Sequence, residues 1–204
     1  PTRQSGGTAK SKGRGRPGPA RRSLSHVSMH HVDQPANVLR FIPFGGCGEV
    51  GRSMYVYEYN NDIIIIDMGL QWPDENMPGI DYLIPNVEYL KPRKKNIRGI
   101  IITHGHYDHI GAIPHLLDSL GNPPMYATAL TRGMILKRQE EYKFAPKPHI
   151  EIITPESRVS LGSFDVSFFH VNHNIPDSVG IVLKTPGGTA VHTGDFKFDH
   201  TPVN

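Results

Sequence analysis

The sequence predicts an α/β fold, with sheets covered on their outer faces by helices, and three observations predict it. Short β-branched and aromatic runs begin at Val38 and are punctuated by Gly, Pro, Asn and Asp, the texture of strands joined by turns. Helical spacing appears in two later stretches, 110–120 and 130–142. Strands come first and helices are then interleaved with further strands, an order that suits sheets with helices packed on them.

Strands are expected over 39–43, 54–59, 63–67, 99–103, 151–154, 164–171, 179–184 and 189–193. Asn60-Asn61-Asp62 separates two of these runs and reads as a hairpin turn. Gly121 is placed to stop the first helix, since glycine accepts the left-handed conformation that ends a helix. No internal repeat is visible. At 204 residues the chain is long enough to bury one full core. It opens on Pro1 and closes on Thr201-Pro202-Val203-Asn204 without a terminating element, so the expectation is a piece of a longer protein.

Charge is unevenly distributed. Residues 1–36 hold seven Lys/Arg and one acid, and the remainder fifteen and eighteen, giving +6 and −3. The basic stretch, for example KSKGRGRPGPARR at 10–22, has too few large apolar residues to offset its ordering entropy and reads as a disordered tail. Two roles fit it: a solvated linker, or an arm that holds RNA through phosphate contacts and counterion release. Cys47 is the single cysteine, which excludes an internal disulfide and favours a reducing, cytoplasmic setting. Apolar runs such as 63–66 and 100–102 fall far short of the roughly 20 residues of a membrane span, so no membrane partner is expected.

The chemistry concentrates in Thr103-His104-Gly105-His106-Tyr107-Asp108-His109-Ile110-Gly111, which follows an apolar strand and leads into a helix. A lone histidine near a strand end, such as His26, His30, His31 or His149, is ordinarily a surface or satisfied core residue. Four ligand-type side chains within six positions are not. His104 and His106, two apart on a chain leaving a strand, can point the same way, while Asp108 and His109 lie further on and can face a second ion. Gly105 is read as allowing close approach of the backbone to the cations. Imidazole with carboxylate suits zinc or a similar divalent ion. A two-cation site needs about three protein ligands per ion with a position left for water, so more must come from downstream. His170 and His173 at one strand end, and Asp195 beyond another, are the candidates.

A strand ending in His-x-His-x-Asp-His, a later histidine and an Asp after Thr-Gly resemble the metallo-β-lactamase superfamily. The segments FGGCGEVGRSMYVY at 44–57, WPDENMPGIDYLIPN at 72–86, HNIPDS at 173–178 and TGDFKFDHTPV at 193–203 are similar, in combination, to the ribonuclease J family of its β-CASP group. The resemblance covers 38–204 and leaves out the basic tail. It implies an αββα sandwich over 37–204, here without the inserted β-CASP domain and the C-terminal parts that complete that family, and with one ligand of the second cation lying in those parts. An isolated piece of this kind is expected to be inactive. It implies that His104, His106 and His173 hold one ion, that Asp108 and His109 hold the other, that Asp195 bridges them, and that Asp67 supports the site. His170 and His192 are read as packing residues around the site, and His115 as a helix-surface residue.

The function implied is metal-dependent hydrolysis of RNA phosphodiesters, 5′-to-3′ exonucleolytic and endonucleolytic, in RNA processing and decay. Two divalent ions are expected, Zn2+ foremost, with Mn2+ or Mg2+ as alternatives. The nucleophile is then water, and no side chain is assigned as catalytic. A structural Ca2+ on Asp74, Glu75 and Asp81 is weighed against a solvated acidic loop, which is favoured. The expected partners are 5′-monophosphorylated RNA and, at full length, further copies of the chain. Competing readings are a small-molecule hydrolase of the same fold, a glyoxalase II type thiolesterase or a lactonase, and a non-catalytic RNA-binding subunit.

Overall fold

The computed structural model describes Thr2 and residues 36–201. The described strands and helices all lie between Leu39 and His192. The basic tail read over 1–36, with His26, His30 and His31, lies outside the described residues apart from Thr2 and Ala36.

Six strands form the first sheet, in spatial order β1 (Leu39–Gly45), β2 (Met54–Tyr59), β3 (Asp62–Ile66), β4 (Ile97–Ile101), β5 (Met125–Ala127) and β6 (Ile150–Ile152). The first three are antiparallel meanders and β3 to β6 run parallel. The β2–β3 turn is the expected one, with Asn60 at φ 53° and Asp62 already paired with Tyr59. A second, antiparallel sheet has the order β10 (Gly188–His192), β9 (Val179–Thr185), β8 (Phe164–His170) and β7 (Arg158–Leu161). The α-helices are α1 (Tyr107–Ile110), α2 (Ile113–Leu116) and α3 (Ala129–Gln139), and a 3-10 helix spans Lys91–Asn96.

Alternation along β3 explains the layering. Ile63 and Ile65 join Ile100, Ile113, Leu117, Leu120 and Ile135 in a core between the first sheet and the helices. Ile64 and Ile66 join Ile101, Phe164, Val166, Phe168, Ile181 and Leu183 in a second core between the two sheets. A strand buried on both faces reads as a continuous apolar run, which is why 63–66 is four isoleucines. Each such side chain, fully buried, contributes about 1.5–3 kcal/mol. Three layers of an αββα sandwich are therefore present: helices, first sheet, second sheet. Among the described residues no helix covers the outer face of the second sheet.

The structure departs from the sequence expectations at several elements. The helix expected over 110–120 begins earlier, at Tyr107, and breaks into α1 and α2, because Pro114 in the first turn of α2 has no N–H to carry the ladder through. Gly121, at φ 83°, ends this stretch as anticipated. The second helix runs from Ala129 to Gln139 and continues to Tyr142 only as turns. Strands β5 and β7 went unread: the first is three residues long and the second carries exposed Arg158 and Ser160. No described helix is long and apolar enough to cross a membrane.

Candidate metal centre

The site forms where β3, β4, β8 and β10 leave their sheets. Asp67, one residue past β3, sits at φ 61° and is fully buried, an unfavourable conformation for a non-glycine residue that its contacts must hold. Its N–H donates to the Ile101 carbonyl at 2.9 Å. Its carboxylate accepts the Thr103 N–H at 2.8 Å on Oδ1, and on Oδ2 the Thr103 hydroxyl at 2.9 Å and His109 Nδ1 at 2.8 Å. Thr103 has a single hydroxyl proton. Given to Asp67, it leaves the oxygen to accept from His104 Nδ1, 3.0 Å away. Asp67 thus orients His109 directly and His104 through Thr103, turning the Nε2 atom of each toward the same space.

That space gathers the histidines. His104 Nε2 lies 2.9 Å from His106 Nδ1, and His173 Nε2 lies 3.2 Å from the same atom. One Nδ1 cannot satisfy two facing imidazole nitrogens, whereas one cation accepts all three lone pairs. Nitrogens on a tetrahedral zinc, each about 2.0–2.1 Å from it, stand about 3.3 Å apart, so the donor set fits such an ion. A second group, His104, His109 and Asp195, also brings one ligand atom from each residue within 4.8 Å of the others. Asp195 Oδ2 is 3.5 Å from His109 Nε2 and 3.8 Å from His173 Nε2, between the two sets. Asp108 Oδ2 reaches His109 Nε2 at 3.6 Å. The six side chains named as candidate ligands therefore converge on one region.

The electrostatics follow from burial and these pairings. Burial, then the charge of His109, pushes His104 down to about 3, so the ring is neutral and its Nε2 lone pair is free at neutral pH. Burial also lowers His173. His109 moves the other way: burial opposes its charge, but the Asp67 carboxylate and hydrogen bonds to Asp195 and Asp67 raise it to about 10. The hydrogen bond from His109 holds Asp195 down to about 2. Burial works against the Asp67 charge, yet His109 keeps this carboxyl below its ordinary value.

Several details correct the sequence reading. A side chain at Gly105 would strike Met134 Sδ at 2.5 Å and approach Ile175 at 3.5 Å, so this glycine serves packing against α3 rather than approach to cations. His115 is not a free helix-surface residue: its ring lies 4.7 Å from that of Tyr82 and 4.9 Å from that of Tyr142, with Nε2 buried. Asp74, Glu75 and Asp81 are exposed and form no donor group among the described residues, which leaves the calcium reading without a site. His192 packs against Tyr55 and Tyr57 as expected, with Nδ1 3.3 Å from the Tyr57 hydroxyl. His170 is exposed at the end of β8 and pairs with Asn172 Oδ1 at 3.4 Å. Thr103 was missed, and its only sequence signal is its place beside His104. A cleft of about 710 Å³ flanks His173, lined by His170, Asn172 and Asn174 among others.

Residues 47–203 match the sequence family described as the metallo-beta-lactamase superfamily. The chain belongs to this superfamily. Membership implies divalent-cation binding, and the histidine cluster is in keeping with it. The superfamily chain is 40% identical over 176 residues to a protein named Ribonuclease J from Thermus thermophilus, covering 83% of this chain and 31% of the relative. It is also 40% identical over 168 residues to Ribonuclease J of Corynebacterium glutamicum (82% and 23%), and 42% identical over 165 residues to Ribonuclease J2 of Bacillus subtilis (81% and 30%). The chain thus spans about a quarter to a third of the length of these relatives. Among solved structures, the metallo-beta-lactamase fold protein YhfI from Bacillus subtilis superposes with TM-score 0.55 at 16% identity, covering 79% of this chain and 64% of that one. A protein of unknown function from Enterococcus faecalis V583 superposes with TM-score 0.62 at 18% identity, covering 78% and 44%. These two likenesses concern the fold.

Proposed function

We propose that this chain carries the metal-binding part of a ribonuclease that hydrolyses RNA phosphodiesters. The observation that carries the reading is the placement of Asp195 Oδ2 between His109 and His173, with His104 common to both donor groups. In this reading His104, His106 and His173 would hold one cation, Asp108 and His109 would hold the other, and Asp195 would be shared between them. When bound, divalent cations there would supply an activated water and offset charge developing on the phosphate oxygens. The chain's own residues do the positioning. Asp67 orients His104 and His109 so that the Nε2 atom of each faces the donor groups, and the proton that His109 carries there beside Asp195 would give way to a bound cation. Similarity to proteins named Ribonuclease J supports RNA as the substrate. The finer reading is 5′-to-3′ exonucleolytic and endonucleolytic cleavage of 5′-monophosphorylated RNA in processing and decay, with Zn2+ as the resident ion, in the cytoplasm, by a homo-oligomer.

The test compares the protein at full length on 5′-monophosphorylated RNA, 5′-hydroxyl RNA and a thioester. The expected result is RNA cleavage, faster with the 5′-phosphate, abolished by EDTA and by His106→Ala and restored to the wild type by Zn2+ or Mn2+. Thioester turnover in the absence of RNA cleavage would replace this reading with the small-molecule hydrolase, and RNA binding without cleavage of either RNA in the presence of Zn2+ or Mn2+ would replace it with a non-catalytic subunit.

A further inference from the structure

The short turn α1 carries Asp108 and His109, and four residues do not hold a helical turn by themselves. On one side it is tied to the loop after β3 and to Ser53: the N–H groups of Ser53, Met68 and Leu70 donate to the carbonyls of Asp108 (3.0 Å), His109 (2.7 Å) and Tyr107 (3.1 Å). On the other side stands Arg138 of α3. Its guanidinium carbon lies 4.4 Å from the centre of the Tyr107 ring and 5.2 Å from that of Tyr142. Nη2 donates to the Tyr142 hydroxyl at 3.0 Å and reaches the Gly111 carbonyl at 3.5 Å, and Nη1 is 3.8 Å from Glu141.

Arg138 is only 7% exposed, and its buried Nε finds no hydrogen-bond partner among the described residues. A charged side chain that served the surface alone would not be buried at that cost. What it touches is informative. Tyr107 and Gly111 are the first residue and the C-cap of α1, so Arg138 grips both ends of the turn between them. Gly111 cannot retreat, since even a Cβ there would meet Leu70 Cγ at 2.4 Å.

We infer that Arg138 is a positioning residue, which clamps α1 from the helix layer through Tyr107 and Gly111 and thereby sets where Asp108 and His109 stand for the second cation. The inference rests on the two-cation reading above. It separates the two cations by degree: Asp108 and His109 lie within the clamped turn, His106 only caps it, and His104 and His173 lie outside it, so the second cation depends on Arg138 more than the first.

The experiment strips the protein at full length with chelator, then titrates it with Co2+ and follows the visible absorption of each bound equivalent. Wild type is expected to take two equivalents. Arg138→Met weakens the second about tenfold or more, the range known for partners that orient ligands, and the first by clearly less. Arg138→Lys, which retains a cation over Tyr107, recovers it to within about threefold. Tyr107→Leu reproduces Arg138→Met, and the double variant is no weaker than either, since both act through one stack. Asp62→Ala, which loosens the fold at the opposite end of β3, leaves the second affinity unchanged. Equal affinities in wild type and Arg138→Met, or equal weakening of both equivalents, overturns the inference while leaving the two-cation reading standing. Uptake of fewer than two equivalents by wild type overturns that reading, and the inference with it. Should Arg138→Met fail to fold, Tyr107→Leu decides by the same criteria.

Discussion

The Asp67 carboxylate and the His109 imidazole form a buried pair, Oδ2 to Nδ1, at 2.8 Å, with neither side chain more than 2% exposed. The contact holds a strained backbone position, fixes a tautomer and joins the end of β3 to the ligand-carrying turn. Removing one partner of a buried ion pair strands the other.

Asp67→Ala is therefore expected to destabilise the protein by about 3–5 kcal/mol, read from urea unfolding. Asp67→Asn tests the tautomer argument separately. An amide facing His109 Nδ1 donates to it, which locks the remaining proton on Nε2, where a cation would have to displace it. Cation affinity should fall by about 10–100-fold with a smaller loss of stability, measured by titration calorimetry. Unchanged affinity in Asp67→Asn contradicts the orienting role.

Gly69 has no room for a side chain, since a Cβ would lie 1.5 Å from the Asp108 carbonyl oxygen, which already accepts the Ser53 N–H at 3.0 Å. Gly69→Ala should push the α1 turn outward, destabilising the fold by about 1–3 kcal/mol as overpacking does. It should also weaken the second cation more than the first. A variant with wild-type stability and two wild-type affinities contradicts the close approach.

Asp62 ties the two sheets together. Its Oδ2 accepts both the N–H and the hydroxyl of Ser163 at 2.7 Å, and its Oδ1 pairs with Arg98 at 2.5 Å. Desolvation raises its pKa, but the Ser163 and Arg98 hydrogen bonds outweigh that and leave it below the ordinary value. A depressed carboxyl contributes stability above its unfolded pKa of about 3.9 and loses it as pH falls through the folded value. Asp62→Ala should cost about 1–3 kcal/mol at neutral pH. The gap to wild type should close as the pH drops below about 4, read from melting curves across pH. A gap independent of pH contradicts the carboxylate's role.

Chelation should lower the melting temperature, because the donor groups converge only in the folded chain. A cation present at a hundred times its dissociation constant adds about 2.7 kcal/mol to stability. Calorimetric melts with EDTA and after Zn2+ restoration measure this directly. Coincident melts would show that the folded chain has no preference for the ion.

The candidate ligands were legible in the sequence because they are dense and local: His104, His106, Asp108 and His109 occur within six residues, and His173 and Asp195 each follow an apolar run that had to be a strand. The same density made the α/β class readable, since β3 announces burial on both faces with four isoleucines. Short elements without a period, such as β5 and β7, carried no such pattern.

By itself, then, the sequence determined the donor types, the double-faced strands and the order of elements, all of which depend on neighbours along the chain. Only the tertiary structure decided that Thr103 relays Asp67 to His104, that Gly105 makes room for Met134, that His115 lies among aromatics, and that Arg138, 30 positions after Asp108, stacks on Tyr107. Those contacts join residues far apart in sequence, and the rotamers and hydrogen-bond directions that create them are fixed by packing between layers.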